Sequence, residues 1–256
     1  MPPDPAAPDR PDAEIDRFTR DRPVHSTISR AGVELGRGEG AGVGRGGGPA
    51  VEVGVGAWPG GEPAWPRLPD GSPDPRFDPE LLANGDRRNV IDGYRYWTVE
   101  AIVADLDGRR HPFHVAIENW AHDLNIGSVV RTANAFLAAE VHIVGRRRWN
   151  RRGAMVTDRY QHIRHHPDVA DLAVWADDAG LPLLGIDNTP GSVPLEGYPL
   201  PRACVLLFGQ ESAGLSEAAR AACGDVLRIR QFGSTRSINA GAAAAIAMHA
   251  WVNQHA

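Results

Sequence analysis

The 256-residue chain contains no lysine, so all 27 of its Lys+Arg cations are arginine. Cysteine is nearly absent too. Cys204 and Cys223 offer neither a disulfide framework nor a C-x-x-C metal motif, and two reduced thiols suit a cytoplasmic protein. No apolar run reaches the ~18–20 residues that cross a bilayer; the longest stretch, 240–252, is short and rich in Ala and Gly. The opening residues are acidic and proline-rich, without the basic start and apolar stretch of a secretory signal, so neither a signal nor a membrane partner is expected. The formal charge of −5 argues against non-specific polyanion binding, although distribution matters more than the sum. Residues 1–90 hold 11 Arg against 15 Asp/Glu, while residues 91–256 hold 16 against 17. The densest basic run, Arg146-Arg147-Arg148-Trp149-Asn150-Arg151-Arg152, lies in that near-neutral second part.

Residues 1–88 read as a loosely ordered arm rich in glycine and proline. Between Gly36 and Gly61, 12 of 26 positions are glycine, and such a segment loses much chain entropy on ordering for little apolar burial. Trp58 and Trp65 are candidate local anchors. From residue 89 to 256 strand-like and helix-like stretches alternate, the pattern of an α/β domain with a mainly parallel sheet and helices on both faces. Residues 114–117, 141–144, 183–186, 204–208 and 226–229 read as strands; 125–137, 168–179, 216–222 and 237–252 read as helices. Ligands of open parallel sheets collect beyond the carboxyl ends of strands. Those ends are residues 118–131, 187–188, 209–214 and 231–239.

Some motifs fail on context. Gly42, Gly44 and Gly47 match G-x-G-x-x-G, but a dinucleotide site needs a strand before it and a helix after, and here a glycine tract runs into Pro49. Gly209, Ser212 and Gly214 form G-x-x-S-x-G, one residue longer than a nucleophile elbow. His162, His165 and His166 lack a Cys or carboxylate set at ligand spacing, so no metal site is expected and an exposed or RNA-facing cluster is the reading.

Three segments belong together. The first runs from Glu118 through Asn125, Gly127 and Arg131 to Phe136, a strand end leading into a helix with Asn125 as candidate N-cap. The second is a buried strand, a polar turn and a helix capped by Ser216: Val205 to Phe208, then Gly209-Gln210-Glu211-Ser212-Ala213-Gly214. The third runs from Leu227 and Ile229 through Gly233, Ser237, Ile238 and Asn239 into a helix of small residues.

As an ordered triple these segments resemble the SpoU (TrmH-type) branch of the SPOUT methyltransferases. That family's motifs read N-x-G-x-[IV]-x-R-[TN]-A-x-A-F, F-G-x-E-x-x-G-[LI]-S and I-x-x-x-G-x-x-x-S-[LI]-N. The resemblance covers roughly residues 110–256. It implies a C-terminal trefoil knot, a homodimer, S-adenosylmethionine as cofactor, and methyl transfer to a ribose 2′-OH of tRNA or rRNA. The positions matching catalytic ones are Asn125, Arg131, Glu211, Ser237 and Asn239. Those matching cofactor contacts are Leu207, Gly209, Ile229 and Ile238, largely through backbone. Gln210 replaces the frequent Asn of the second motif, Ala240-Gly241 the usual Val-Ser, and Leu137 the usual Gly after the first-motif Phe. Two other outcomes stay open: a catalytically silent RNA-binding relative, and a methyltransferase acting on a base atom.

A ribose hydroxyl is a weak nucleophile until its proton is shared or removed. Arginine stays protonated, so Arg131 is expected to orient the hydroxyl and an adjacent phosphate rather than act as a full base. Arg146, Arg147, Arg148, Arg151 and Arg152 form the candidate RNA face, with Trp149 available to stack on a base and Arg159, His162, Arg164, His165 and His166 nearby.

Overall fold

A computed structural model describes residues 54–120, 125–211 and 213–256. The first 53 residues of the expected arm, with the Gly42–47 tract, and Ser212 of the elbow-like turn lie outside the described residues. The described residues all fall in one compact unit, which contains the expected 88/89 boundary.

Seven strands form one parallel sheet: β1 (Phe113–Asn119), β2 (Val141–Gly145), β3 (Ile163–His166), β4 (Leu183–Ile186), β5 (Val193–Pro194), β6 (Cys204–Phe208) and β7 (Asp225–Arg228). Their order is β3-β2-β1-β6-β4-β7-β5. The strand and helix positions read from the pattern recur within a few residues. β3, β5 and the helices α1 (Pro79–Asn84) and α2 (Val99–Asp107) were not anticipated.

The sheet buries both faces, so its central strands are mostly apolar, with side chains that alternate between the two faces. Phe113, Val115 and Ile117 of β1 and Cys204, Leu206 and Phe208 of β6 enter one core. There they meet α3 (Ile126–Ala135) through Val129, Val130 and Ala133, and α6 (Ala240–His255) through Ala244, Ala247, Met248 and Trp251. Ala116, Val205 and Leu207 enter the opposite core, against α4 (Val169–Asp178) and α5 (Glu217–Ala222). The alanines of α6 let that helix approach closely, and one large side chain fills the remaining gap. Trp251 is fully buried, 4.5 Å from the Phe113 ring, and donates to Pro201 O at 3.1 Å. Burying an indole is worth roughly 4–6 kcal/mol of transfer free energy.

Residues 54–97 have an order that their composition hides. Trp58 packs edge-on against Phe77 and Tyr96, at 6.0 and 5.3 Å between ring centroids. Tyr96 donates to Gly56 O at 2.7 Å. Buried Asp86 accepts from Arg88 Nη2 at 2.8 Å and Tyr96 N at 3.0 Å. Burial alone would raise its pKa; the bonds from Arg88 and Tyr96 outweigh that and bring it to about 2.

Both cysteines are free, and burial pushes each thiol pKa up to about 12, for Cys223 with the help of nearby Glu118. Among the described residues, no helix is long and apolar enough to cross a membrane.

Candidate active site

The chain leaves β1 outward through β2 and β3, crosses to β4, and returns with β6 between β1 and β4. Such reversals open a crevice at the carboxyl ends of the strands. A cavity of about 390 Å³ lies there, built from the ends of β4 (Ile186, Asp187, Asn188), β6 (Phe208, Gly209, Gln210, Glu211) and the segment after β7 (Ile229, Gln231, Ser237, Ile238).

The loop after β6 is folded tightly. Gln210 and Gly214 exchange backbone hydrogen bonds at 3.1 and 2.9 Å. A Cβ on Gly209 would lie 2.0 Å from Gly214 C, so no larger residue fits there. Two carboxylates hold the far side of the turn. Asp187 accepts from Leu215 N at 2.8 Å, and fully buried Glu118 accepts from Ser216 N and Trp120 Nε1, both at 2.8 Å. Asn188 Nδ2 donates to Arg236 O at 3.1 Å, joining the β4 end to the segment before α6.

Three side chains from the three motifs meet at the rim. Asn125 Nδ2 donates to Glu211 Oε2 at 2.7 Å. Asn239 Nδ2 donates to Asn125 Oδ1 at 2.9 Å and to Glu211 Oε1 at 3.1 Å. Asn239 Oδ1 also caps α6 by accepting from Ala242 N at 3.1 Å. Asn125 stands at the N-cap position of α3 but makes no cap bond with its side chain, because that side chain is committed to Glu211 and Asn239. The expected cap role is thus replaced by a link between motifs.

The other expected residues divide. Ser237, Gly209, Ile229 and Ile238 line the cavity. Leu207 does not; its side chain packs in the core beneath α4 and α5, and Phe208 lines the cavity in its place. Arg131 is exposed on α3 and has no hydrogen bond or ion pair to another described residue. Arg146, Arg147, Arg148, Arg151 and Arg152 are exposed on the loop after β2. Asn119, which the sequence reading passed over, suspends that loop: its Nδ2 donates to Arg146 O at 2.7 Å and Arg148 O at 2.9 Å. Arg151 lies over the Trp149 ring at 5.4 Å and pairs with Asp158 at 3.2 Å. The loop continues against the start of α3, where a Cβ on Gly127 would lie 2.7 Å from Ala154 N. The arginines therefore neighbour the helix that carries Asn125 and Arg131.

The histidine reading needs correction. His162 faces solvent and pairs with Asp107 at 2.8 Å, but His165 bonds to Gly145 O at 2.7 Å and His166 is buried. They sit in and beside an unforeseen strand, β3, so successive side chains turn to opposite sides and form no single exposed cluster.

A family model for the SpoU rRNA Methylase family matches residues 112–249, more than half of the chain. An uncharacterized tRNA/rRNA methyltransferase of Mycolicibacterium vanbaalenii is 30% identical over 186 residues, covering 68% of this chain and 58% of its own length. The tRNA (guanosine(18)-2′-O)-methyltransferase of Escherichia coli is 24% identical over 153 residues, covering 58% of this chain and 67% of its own. Among solved structures, the SpoU methyltransferase AviRb of Streptomyces viridochromogenes, in complex with AdoMet, superposes with TM-score 0.50 at 26% identity, over 59% of this chain and 60% of that one. The chain thus spans only part of these relatives. The family match, the three motifs and the parallel sheet with its carboxyl-end cavity agree: this chain belongs to the SpoU rRNA Methylase family.

Proposed function

We propose that this protein is a cytoplasmic S-adenosylmethionine-dependent methyltransferase that modifies a ribose 2′-OH in tRNA or rRNA. The observation that carries the reading is the Asn125–Glu211–Asn239 network, which unites three distant motifs at the rim of a cavity. A volume of about 390 Å³ falls in the ~300–1,000 Å³ range of small-molecule sites. Ile186, Phe208, Ile229 and Ile238 offer apolar contact for an adenine ring, and the side-chain oxygens of Gln210 and Gln231 are buried there without a partner among the described residues. That mixture fits a nucleoside-bearing cofactor. When bound, S-adenosylmethionine supplies an electrophilic methyl group.

The remaining work falls to the chain itself. Arg131, exposed on the helix that follows Asn125, orients the 2′-OH and holds the neighbouring phosphate, and its positive charge stabilises the oxygen as its proton leaves. Asn125, Glu211 and Asn239 fix the three loops, and positioning of this kind accounts for much of the rate of a two-substrate transfer. Ser237 shapes the substrate side of the cavity, while Phe208, Gly209, Ile229 and Ile238 contact the cofactor. The arginines of residues 146–152 bind phosphates, with Trp149 as a stacking surface. In this reading residues 89–256 carry the chemistry, close into a C-terminal trefoil knot and act as a homodimer. The E. coli relative's 2′-O activity supports the ribose assignment.

Incubating the protein with labelled S-adenosylmethionine and total RNA, then digesting to nucleosides, tests the acceptor. Label in 2′-O-methylnucleosides is expected. Label on a base overturns the ribose assignment, and bound cofactor without transfer to any RNA favours a catalytically silent RNA-binding protein.

A further inference from the structure

Beneath α4 a chain of imidazoles crosses three strands. His114 Nδ1 lies 3.0 Å from His142 Nε2, His142 Nδ1 lies 2.9 Å from His166 Nε2, and His166 Nδ1 lies 2.8 Å from Asp171 Oδ2. The direction of the chain follows from its last member. A carboxylate accepts, so His166 must carry its proton on Nδ1. A neutral imidazole has one N–H, so His166 Nε2 accepts, His142 donates from Nδ1, and the lone pair of His142 Nε2 faces His114.

Glu140 faces the same point. Its carboxylate lies 3.9 Å from His142 Nε2, and donor atoms of His114, Glu140 and His142 all lie within 4.8 Å of one another. We propose that these three residues form a binding site for a divalent transition-metal ion, zinc being the best match to two imidazoles and a carboxylate. Tetrahedral zinc at ~2.0–2.1 Å from nitrogen separates its donors by ~3.3 Å, so the His114–His142 pair opens by a few tenths of an ångström and Glu140 closes in from 3.9 Å on His142 and from within 4.8 Å on His114. His114 takes part by moving its proton from Nδ1 to Nε2.

The surroundings suit the ion. Metal-bound histidines usually pass their second N–H to a carboxylate; here His142 does so through His166 to Asp171. Trp175 roofs the group, 4.2 Å from His142 and 5.2 Å from His114 between centroids. The one nearby cation, among the described residues, is Arg164, bonded to Glu140 at 3.1 and 3.2 Å. Its side chain is 48% exposed, so it can turn to solvent and open the path of entry. His114 and His142 are each second in their strands, so the site lies away from the carboxyl-end cavity and does not rest on the proposed methyl transfer. The bound ion would clip β1 to β2.

Equilibrium dialysis of the metal-stripped full chain against Zn²⁺, followed by elemental analysis, tests the site. One ion per chain with micromolar or tighter affinity is expected. His114→Gln and Glu140→Gln should each weaken binding by at least about tenfold, while His249→Gln should not. These variants sit at the accessible end of the group, and circular dichroism verifies their folding. Ni²⁺ should quench fluorescence in the wild type, and Trp175→Phe should lose most of that quenching. A folded wild type that takes up no zinc overturns the proposal. So does uptake that is unchanged in both His114→Gln and Glu140→Gln.

Discussion

The carboxyl ends of the strands and the α4 face of β1–β3 both gather polar groups from distant parts of the chain, yet they treat them differently. At the carboxyl ends Asn125, Glu211 and Asn239 meet at an open rim, with Glu211 and Asn239 exposed. Under α4 Trp175 covers the middle of the chain, where His142 has no exposed surface and His166 is buried. An open network can exchange protein partners for substrate. A sealed one must satisfy each nitrogen internally or lose stability.

Arg131→Ala should have the largest effect on the open side: turnover falls about a hundredfold or more, while S-adenosylmethionine affinity, measured by calorimetry, stays within about twofold because the cavity lining is untouched. Unchanged turnover would remove Arg131 from the chemistry. On the covered side, His142→Leu leaves a nitrogen of buried His166 and one of half-buried His114 without their partner, which should cost about 2–4 kcal/mol in urea unfolding. Cofactor affinity should be unaffected; a matching loss of both would merge the two networks into one.

The same variant carries a pH signature. The folded-state pKa of His142, about 2, lies far below its ordinary value of 6.5. Below pH 6.5 the unfolded chain therefore takes up a proton that the folded chain refuses. Wild-type stability should fall as pH drops from 6.5 toward 2, and the slope should flatten in His142→Leu when both are followed by urea midpoints in chelator-treated buffer. The smallest effect is expected in the arginine loop. Arg147→Ala with Arg148→Ala should weaken RNA binding several-fold and reduce the slope of log affinity against log salt by about 1–2.

What could be read from the sequence follows the same division. The apolar strands 183–186 and 204–208 stand out because both of their faces are buried, and the motif loops follow them directly. β3 escaped notice because Ile163-Arg164-His165-His166 carries almost no apolar signal; it is an edge strand defined by its pairing with β2. The imidazole chain was hidden for a related reason, since crossover connections bring together residues that lie far apart in sequence. Residues 54–88 read as a loosely ordered arm because glycine and proline dominate them; Trp58 stood out as a candidate anchor and does pack on Tyr96, whereas Phe77, which joins it to Trp97, carried no signal of its own. Leu137, where relatives usually carry Gly, shows why Gly is usual there: its φ is 53°, a left-handed conformation that costs an ordinary residue about 1–2 kcal/mol. Its packing against the cluster of Ile102, Leu106 and Tyr160 offsets part of that cost.

The most direct test of the central assignment is a calorimetric titration of the full chain with S-adenosylmethionine. The account expects saturable micromolar binding at one site per chain, weakened by Gly209→Ala, whose added Cβ would collide with Gly214. A folded protein that releases no heat and protects none of its structure on addition of the cofactor would contradict it.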